Sequence, residues 1–290
     1  MKKDVLALII LTCIYIIVFL GNFITILFNS SFKINNYKEK PEKDTVNIVF
    51  ITDKNYAVPL QTAIKSAIYN KNKESKYHIF IIGAQLENED TIKLQSLENT
   101  DTKITILNQK NIYNIVKKKH HYVSRADLFK FNLAKIFLKF DKILYLDCDI
   151  IINKDLSELY NTDLEDNYAG AVQDIGFING RLNFDFYFNN GVMLLNLNKM
   201  RQEHVMLKLL FYKIYKASEE FMTQDCFNAA FKEKVKQLPL KYNVFTCRFK
   251  ETELKNINDA VIIHFTGEKK PWKNKEIEYS YIWEKYSKLK

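Results

Sequence analysis

The feature that most constrains this chain is an uncharged apolar run near its N-terminus. Residues 5–28 read VLALIILTCIYIIVFLGNFITILF and contain no charged side chain over 24 positions. As an α-helix the run would be about 36 Å long, whereas the hydrocarbon core of a bilayer is about 30 Å thick. It therefore predicts a single transmembrane anchor. A cleavable signal peptide is the alternative. Its apolar core is usually shorter than this run, and the small-residue cleavage site that should follow it is not found in the sequence.

Lysines on both sides of this run bear on its orientation. Lys2 and Lys3 precede it, and four others follow it: Lys33, Lys38, Lys40 and Lys43. Because positive charge is enriched on the cytoplasmic side of membrane proteins, the larger number after the run favours a domain on the cytoplasmic face. A type II arrangement, with the domain in a Golgi-like lumen, stays open.

The rest of the chain divides into a short linker and one large domain. Residues 29–44 are polar, lack periodicity and contain Pro41, which is typical of a stalk. From Thr45 to Lys290 apolar runs rich in β-branched residues alternate with helical patterns. The first four runs are 46–51, 77–82, 103–107 and 142–146, and later ones are 189–197 and 260–265. This alternation predicts an α/β fold.

Helical patterns lie between these runs. Pro59 suits a first helical position. Ser124 and Asp127 have the spacing of a capping box, which starts a helix with a predicted buried stripe at Phe129, Leu133, Ile136 and Phe137. Two further helices are expected at 199–216 and 219–232. The tail 273–290 has Ile277, Tyr281, Ile282 and Tyr286 on one helical face, which would lie on the membrane or pack against the domain.

Charge and cysteines exclude several classes of protein. The net charge of +9 comes from scattered lysines without a nucleic-acid recognition motif, so no nucleic acid is expected as a partner. A basic surface would also suit an anionic bilayer or a diphosphate-bearing substrate. Cys13, Cys148, Cys226 and Cys247 show no zinc or disulfide spacing.

A pair of carboxylates directly follows the strand predicted at 142–146. Asp147-Cys148-Asp149 stands where α/β sheets bind ligands, at the carboxyl end of a strand. Residues two apart in extended chain project to one side, about 6.5 Å apart, and carboxylate oxygens suit Mn²⁺ or Mg²⁺. Two alternatives stay open: ordinary turn aspartates, and a phosphohydrolase in which the first Asp is a nucleophile.

Four segments together resemble one family, the retaining glycosyltransferase family eight. They are YLDCDIIINKDLSELY, YFNNGVMLLNLNKMR, TQDCFN and HFTGEKKPW, and the resemblance covers about residues 46–273. The family includes bacterial lipopolysaccharide galactosyl- and glucosyltransferases and glycogenin. The resemblance implies a GT-A fold with a Rossmann-like mixed sheet, and transfer of a sugar, in most cases a hexose, from a UDP-sugar to a glycan or glycolipid acceptor.

The resemblance also implies roles for individual residues. Asp147, Asp149 and His264 would bind Mn²⁺ or Mg²⁺, while Lys270 and the backbone at Gly267 would hold the diphosphate. Asp53, Asn55 and Tyr56 would contact uridine. Asp174 and Asn189 would contact the donor sugar, and the amide of Gln224 would lie beneath the anomeric carbon.

Two positions depart from the family pattern. Thr223 replaces an Asp that usually binds hydroxyls of the transferred hexose, so the donor sugar stays open. Lys130 replaces an Arg near the nucleotide sugar, which keeps the charge but loses the bidentate fork. These departures motivate one rival interpretation, a non-catalytic nucleotide-sugar-binding protein, beside the metal-dependent phosphohydrolase.

Overall fold

The computed structural model describes residues 2–32, 34–110, 124–177, 186–215 and 223–289. The predicted helices at 199–216 and 219–232 therefore lie partly outside the described residues. The helices are α1 (Lys2–Phe32), α2 (Ala57–Asn70), α3 (Asn88–Gln95), α4 (Leu133–Ile136), α5 (Ser157–Tyr160), α6 (Leu197–Gln202), α7 (Val205–Tyr215), α8 (Gln224–Phe231) and α9 (Ser280–Ser287).

The strands are β1 (Thr45–Asp53), β2 (Lys76–Ala84), β3 (Thr102–Gln109), β4 (Lys142–Leu146), β5 (Ile150–Ile152), β6 (Ala169–Gln173), β7 (Phe188–Asn196), β8 (Val235–Gln237), β9 (Val244–Phe245) and β10 (Ile262–His264). Seven of them form one sheet in the order β3-β2-β1-β4-β7-β6-β8. β1 runs parallel to β2 and β4, whereas β7 runs antiparallel to β4 and β6. The prediction of a mixed α/β sheet is confirmed.

The continuous apolar runs of the sequence reflect burial on both faces of this sheet. Along β1, Val49 and Ile51 belong to one core cluster, while Ile48 and Phe50 belong to the cluster on the other face. A strand that is covered on both faces has no side that faces solvent, so apolar and polar residues do not alternate along it. Such strands therefore appear in the sequence as unbroken hydrophobic segments. A second sheet has the strand order β5-β10-β9, and its strand β5 begins shortly after β4 ends.

The N-terminal helix is longer than the apolar run, and part of the linker contacts the domain. α1 continues to Phe32, and its segment Leu8–Thr25 is apolar enough to cross a membrane and is not buried in the protein. The described part of the stalk is partly docked, since Ile34 and Tyr37 are buried in the main core. Tyr37 packs edge-on against Phe80 at a centroid distance of 4.9 Å. This aromatic contact holds the segment against the domain, although the residues around Tyr37 are mostly polar.

Four local predictions need correction. α2 begins at Ala57, two residues before Pro59. Ser124 accepts a hydrogen bond from the Ala126 amide, but Asp127 does not close a capping box, because its carboxylate turns inward to Lys130. Residues 125–132 form a 3₁₀-helix before α4, although the predicted stripe is buried. The first predicted later helix is split into α6 and α7 by His204, which has a φ of 53°.

The C-terminal tail packs on the domain rather than standing free. Ile282 and Tyr286 on α9 are buried, and Asn70 at the end of α2 donates a hydrogen bond to the Tyr286 hydroxyl at 2.9 Å. Tyr281 stays exposed. Of the four residues predicted on one face, two are therefore core, and Ile277 is half-buried before α9 begins.

A buried histidine in β2 makes stability depend on pH. His78 stacks on Phe80 at 3.9 Å, and its Nε2 lies 2.8 Å from Thr105 Oγ1. Burial, aided by the nearby Lys103 charge, lowers the pKa of His78 from 6.5 to about 4. The unfolded chain therefore takes up this proton more readily, and stability is lost as the pH falls from about 6.5 to about 4.

We expect His78→Gln, which keeps a hydrogen-bonding group, to flatten this dependence. Between pH 7 and pH 4.5 the wild-type protein should lose about 1–2 kcal/mol more unfolding free energy than the variant. Urea unfolding at the two pH values measures the difference. Equal losses in both proteins would show that the imidazole does not contribute.

Candidate active site

A cavity of about 380 Å³ opens at the carboxyl ends of β1 and β4. It brings together most of the residues singled out in the sequence: Asp53, Tyr56, Lys130, Asp147, Asp149, Asp174, Asn189, Gln224, His264, Gly267 and Lys270. Asn55 does not line the cavity. Its side chain is exposed, and its backbone amide donates to Asp53 Oδ1 at 2.9 Å.

Three possible metal ligands meet at one wall of this cavity. Ligand atoms of Asp147, Asp149 and His264 all lie within 4.8 Å of one another. Asp147 and Asp149 follow β4, and Cys148 between them turns into the core, where its thiol donates to Ile51 O at 3.2 Å. His264 reaches the same place because β10 pairs antiparallel with β5, so residues more than a hundred positions apart become neighbours.

The imidazole of His264 is held in one orientation by two asparagines. Asn243 Nδ2 donates to Asn189 Oδ1 at 3.0 Å, which directs Asn243 Oδ1 toward His264 Nδ1 at 2.9 Å. An acceptor in that position places the proton on Nδ1. Nε2 faces Asp149 Oδ1, 3.2 Å away, so it is the ring nitrogen that would bind a cation shared with that carboxylate.

These residues fit a divalent cation. Two carboxylates and one correctly oriented imidazole are a hard donor set that leaves coordination positions for other oxygen ligands. Gly191 lies against this wall, where a Cβ atom would come within 2.4 Å of His264 Cε1 and 2.7 Å of Asp147 Oδ2. Only a residue without a side chain allows the strand backbone to approach the ligands this closely.

Lys270 provides a buried positive charge at the same wall. Its ammonium donates to Asp149 Oδ2 and, at 2.7 Å, to the carbonyl of Phe265. Burial would raise the pKa of Asp149, but the charge of Lys270, followed by that of His264, lowers it below its usual range. Asp149 is therefore held ionised, which is the form that binds a cation.

A network of amides forms the adjoining wall. Gln224 Nε2 donates to Asp174 Oδ2 at 3.0 Å, and Gln224 Oε1 accepts from Asn189 Nδ2 at 3.1 Å and from the Asn190 amide at 3.3 Å. Asn189 Oδ1 accepts from the Gly191 amide at 2.9 Å. These contacts leave each amide in a single orientation and connect Asp174 through Asn189 to the asparagine that orients His264.

Lys130 contributes to the cavity lining but is almost completely buried. Its side chain is 2% exposed, and its Nζ lies 2.6 Å from Asp127 Oδ1 and 3.1 Å from Asp147 Oδ1. Thr223 donates to the other oxygen of Asp127 and accepts from Asn190 Nδ2 at 2.8 Å. The two positions that depart from the family pattern thus contact one carboxylate, Asp127.

The remaining end of the cavity is aromatic and polar. Asp53 accepts from the Ser124 hydroxyl, and Tyr56 packs edge-on against Trp272 at a centroid distance of 5.8 Å. Burial, followed by the charge of Asp149, raises the pKa of Tyr56 well above its usual range, so its hydroxyl stays protonated. A planar ring with an adjacent hydrogen-bond donor would fit this end of the cavity.

Several residues of the site escaped sequence reasoning. They are Asn243, Asn190, Asp127 and Tyr145. The contacts of the first three are given above, and the Tyr145 hydroxyl donates to Asp147 Oδ1 at 2.6 Å. Tyr145 belongs to an apolar strand and Asp127 to an apparent capping box, so each had a plain structural interpretation. Only Asn190 had a signal in the sequence, since it stands between Asn189 and Gly191.

Comparison with known proteins places these features in a wider group. The sequence matches Glycosyl transferase family 8 over residues 47–276. It is 31% identical over 257 residues to a lipopolysaccharide 1,2-glucosyltransferase of Escherichia coli, covering 80% of this chain and 74% of that protein. It is 29% identical over 263 residues to the glycosyltransferase GlyA of Streptococcus pneumoniae, covering 88% of this chain and 36% of that larger protein.

Among solved structures, the galactosyltransferase LgtC in complex with donor and acceptor sugar analogs has a TM-score of 0.72 and 24% identity. The likeness covers 83% of this chain and 95% of that one. At this identity the comparison concerns architecture, and it confirms the GT-A fold expected from the sequence.

Proposed function

Because this chain belongs to glycosyl transferase family 8 and is therefore a glycosyltransferase, we propose that it transfers a hexose from a UDP-sugar with the help of Mn²⁺ or Mg²⁺. The observation that carries the proposal is the convergence of Asp147, Asp149 and His264 beside Lys270 in the cavity. Departure of a nucleoside diphosphate develops negative charge on its oxygens, and this wall concentrates groups that stabilise such charge.

Each wall has a part in the proposed reaction. A divalent ion held by Asp147, Asp149 and His264 would neutralise the diphosphate when bound. Lys270 and the backbone at Gly267, whose φ is 84°, would bind the phosphates, while Asp53 and Tyr56 would hold uridine. Asn55, exposed outside the cavity, would reach the base only from its rim.

The amide wall would hold the transferred sugar. Asp174 and Asn189 would accept and donate hydrogen bonds to its hydroxyls, and Gln224 would lie beneath its anomeric carbon. The Gln224 oxygen already accepts two hydrogen bonds, which makes a covalent sugar intermediate on it unfavourable. The resemblance to a retaining family implies retention of configuration, and without a covalent intermediate on Gln224 we infer same-face displacement, in which the departing phosphate takes the proton of the acceptor hydroxyl.

The test uses the full chain in detergent with UDP-glucose and UDP-galactose. UDP release should require Mn²⁺ or Mg²⁺ and stop with EDTA, and NMR should show an α-linked product. Metal-independent turnover would contradict the mechanism, and a β-linked product would contradict retention. Donor binding without turnover on glycan and glycolipid acceptors would favour the non-catalytic rival, whereas release of free phosphate would favour the phosphohydrolase.

The metal proposal also predicts a role for Asn243. We expect Asn243→Ala to weaken Mn²⁺ binding about 10- to 100-fold, because His264 loses the partner that fixes its ring and tautomer. Calorimetric titration with Mn²⁺ measures this. Asn258→Ala, at an exposed site, is the matched control and should bind Mn²⁺ like the wild type. Equal affinities of all three proteins would mean that Asn243 does not orient a ligand.

We further propose that residues 5–28 anchor the protein and that residues 45–290, the catalytic domain, face the cytoplasm to act on a glycan or glycolipid at the membrane. The unburied apolar surface of Leu8–Thr25 and the lysines after it support this. Exposed Cys247 offers a test. A membrane-impermeant maleimide should label it only after cells are permeabilised, and labelling of intact cells would place the domain on the other side.

A further inference from the structure

One carboxylate in the cavity has no role in the site as derived so far. Asp127 lines the cavity, and its side chain is 20% exposed, whereas that of its partner Lys130 is 2% exposed. Lys130 and Thr223 hold its two oxygens from behind. A carboxylate oxygen accepts two hydrogen bonds, so each oxygen of Asp127 keeps acceptor capacity for a ligand in the cavity.

We propose that Asp127 accepts hydrogen bonds from hydroxyl groups of the transferred sugar and so determines which sugar this enzyme delivers. This rests on the proposed UDP-sugar function. Lys130 and Thr223 are positioning residues that fix the carboxylate, and Asp127 is the group that touches the donor.

The position of Asp127 supports this assignment. Two contacts connect it to two parts of the proposed donor site. Thr223, which donates to it, directly precedes Gln224 in the amide wall. Lys130 connects it to the metal ligand Asp147. Asp127 therefore lies between the proposed diphosphate and anomeric-carbon positions, where hydroxyls of the transferred sugar would be.

The orientation of Asp127 is also more defined than that of an ordinary surface acid. Its Oδ1 contacts a buried ammonium at 2.6 Å, and its Oδ2 receives a hydroxyl that is itself fixed by Asn190 at 2.8 Å. An acceptor fixed in this way discriminates between epimers, because a hydroxyl displaced to the other face of the ring loses its hydrogen bond to a carboxylate that cannot follow it. The hydroxyl of Thr223 carries no charge, and the carboxylate that it contacts in the cavity is that of Asp127.

The experiment compares donor binding with nucleotide binding. The full chain in detergent, with saturating Mn²⁺, is titrated with UDP, UDP-glucose and UDP-galactose. In Asp127→Asn the Kd of UDP should stay within about twofold of wild type, whereas the Kd of the preferred UDP-hexose should rise roughly tenfold or more, since a charged acceptor is lost. Preference between the two epimers should fall by a similar factor.

Thr223 supplies an independent pair of variants. Thr223→Val removes the hydroxyl that orients Asp127 and should weaken binding of UDP-hexose but not of UDP. Thr223→Ser keeps the hydroxyl and should bind UDP-hexose like the wild type. If Asp127→Asn lacks a cooperative thermal transition, this pair decides the question. Equal UDP-hexose affinity in the valine and serine variants would then overturn the proposal.

Other outcomes separate this inference from the function on which it rests. Equal weakening of UDP and UDP-hexose in Asp127→Asn would assign the carboxylate to the metal and diphosphate side, and unchanged binding of both would remove it from the donor site. Either result overturns the inference and leaves the function intact. Absence of metal-dependent UDP binding in the wild type would instead refute the proposed function.

Discussion

Asp149→Asn is expected to reduce sugar transfer by about a thousandfold or more. The substitution removes the ionised group that both Lys270 and a divalent cation would contact, and a loss of several kcal/mol of charge stabilisation corresponds to that factor. Product formation with saturating UDP-hexose and Mn²⁺ measures the rate. Calorimetry with Mn²⁺ should show a parallel loss of metal affinity.

The same substitution leaves a buried ammonium without its anionic partner, so loss of the fold must be distinguished from loss of chemistry. Breaking such a pair costs roughly 3–5 kcal/mol. The double variant Asp149→Asn with Lys270→Met removes both charges and should regain thermal stability without regaining activity. Asp259→Asn, at an exposed position, is the control for the substitution itself and should behave like the wild type. Metal-dependent transfer by Asp149→Asn at near wild-type rate would exclude Asp149 as a ligand.

Much of the sheet could be predicted because its strands are apolar for a single physical reason. β1, β2, β4 and β7 are covered on both faces, and their unbroken hydrophobic segments are distinct from the helical patterns between them. The three-residue strand β10 lies inside a longer predicted run, since its length depends on pairing with β5 and β9. The docking of Tyr37 likewise depends on distant phenylalanines and has no local signal.

The candidate site divides in a similar way. Asp147 and Asp149 could be located from their place after a strand, and His264 and Lys270 from the family resemblance. Asn243 and Asp127 could not, because their roles arise from contacts to His264 and Thr223 across 21 and 96 residues of sequence. Asp127 shows the difficulty most clearly, since the spacing that suggested a helix cap serves instead to aim a carboxylate into the cavity.

The close approach of β7 to the proposed metal ligands leads to the second large effect. In Gly191→Ala the added Cβ would lie 2.4 Å from His264 Cε1 and 2.7 Å from Asp147 Oδ2, well inside contact distance. The backbone cannot retreat freely, because the Gly191 carbonyl accepts from the Asp147 amide at 2.7 Å. The imidazole and the carboxylate must therefore move apart.

We expect this displacement to lower sugar transfer by at least about a hundredfold, since misplacing reacting groups by about 1 Å has that effect. Mn²⁺ affinity should fall with it, while overpacking should reduce unfolding free energy by only about 1–3 kcal/mol. Steady-state rates, Mn²⁺ calorimetry and urea unfolding measure the three quantities. Gly21→Ala is the matched control, because an added Cβ there meets nothing within 4 Å. Wild-type metal affinity in a folded Gly191→Ala protein would mean that Asp147 and His264 do not share a metal at this wall, because a shared ligand set cannot tolerate an atom between its members.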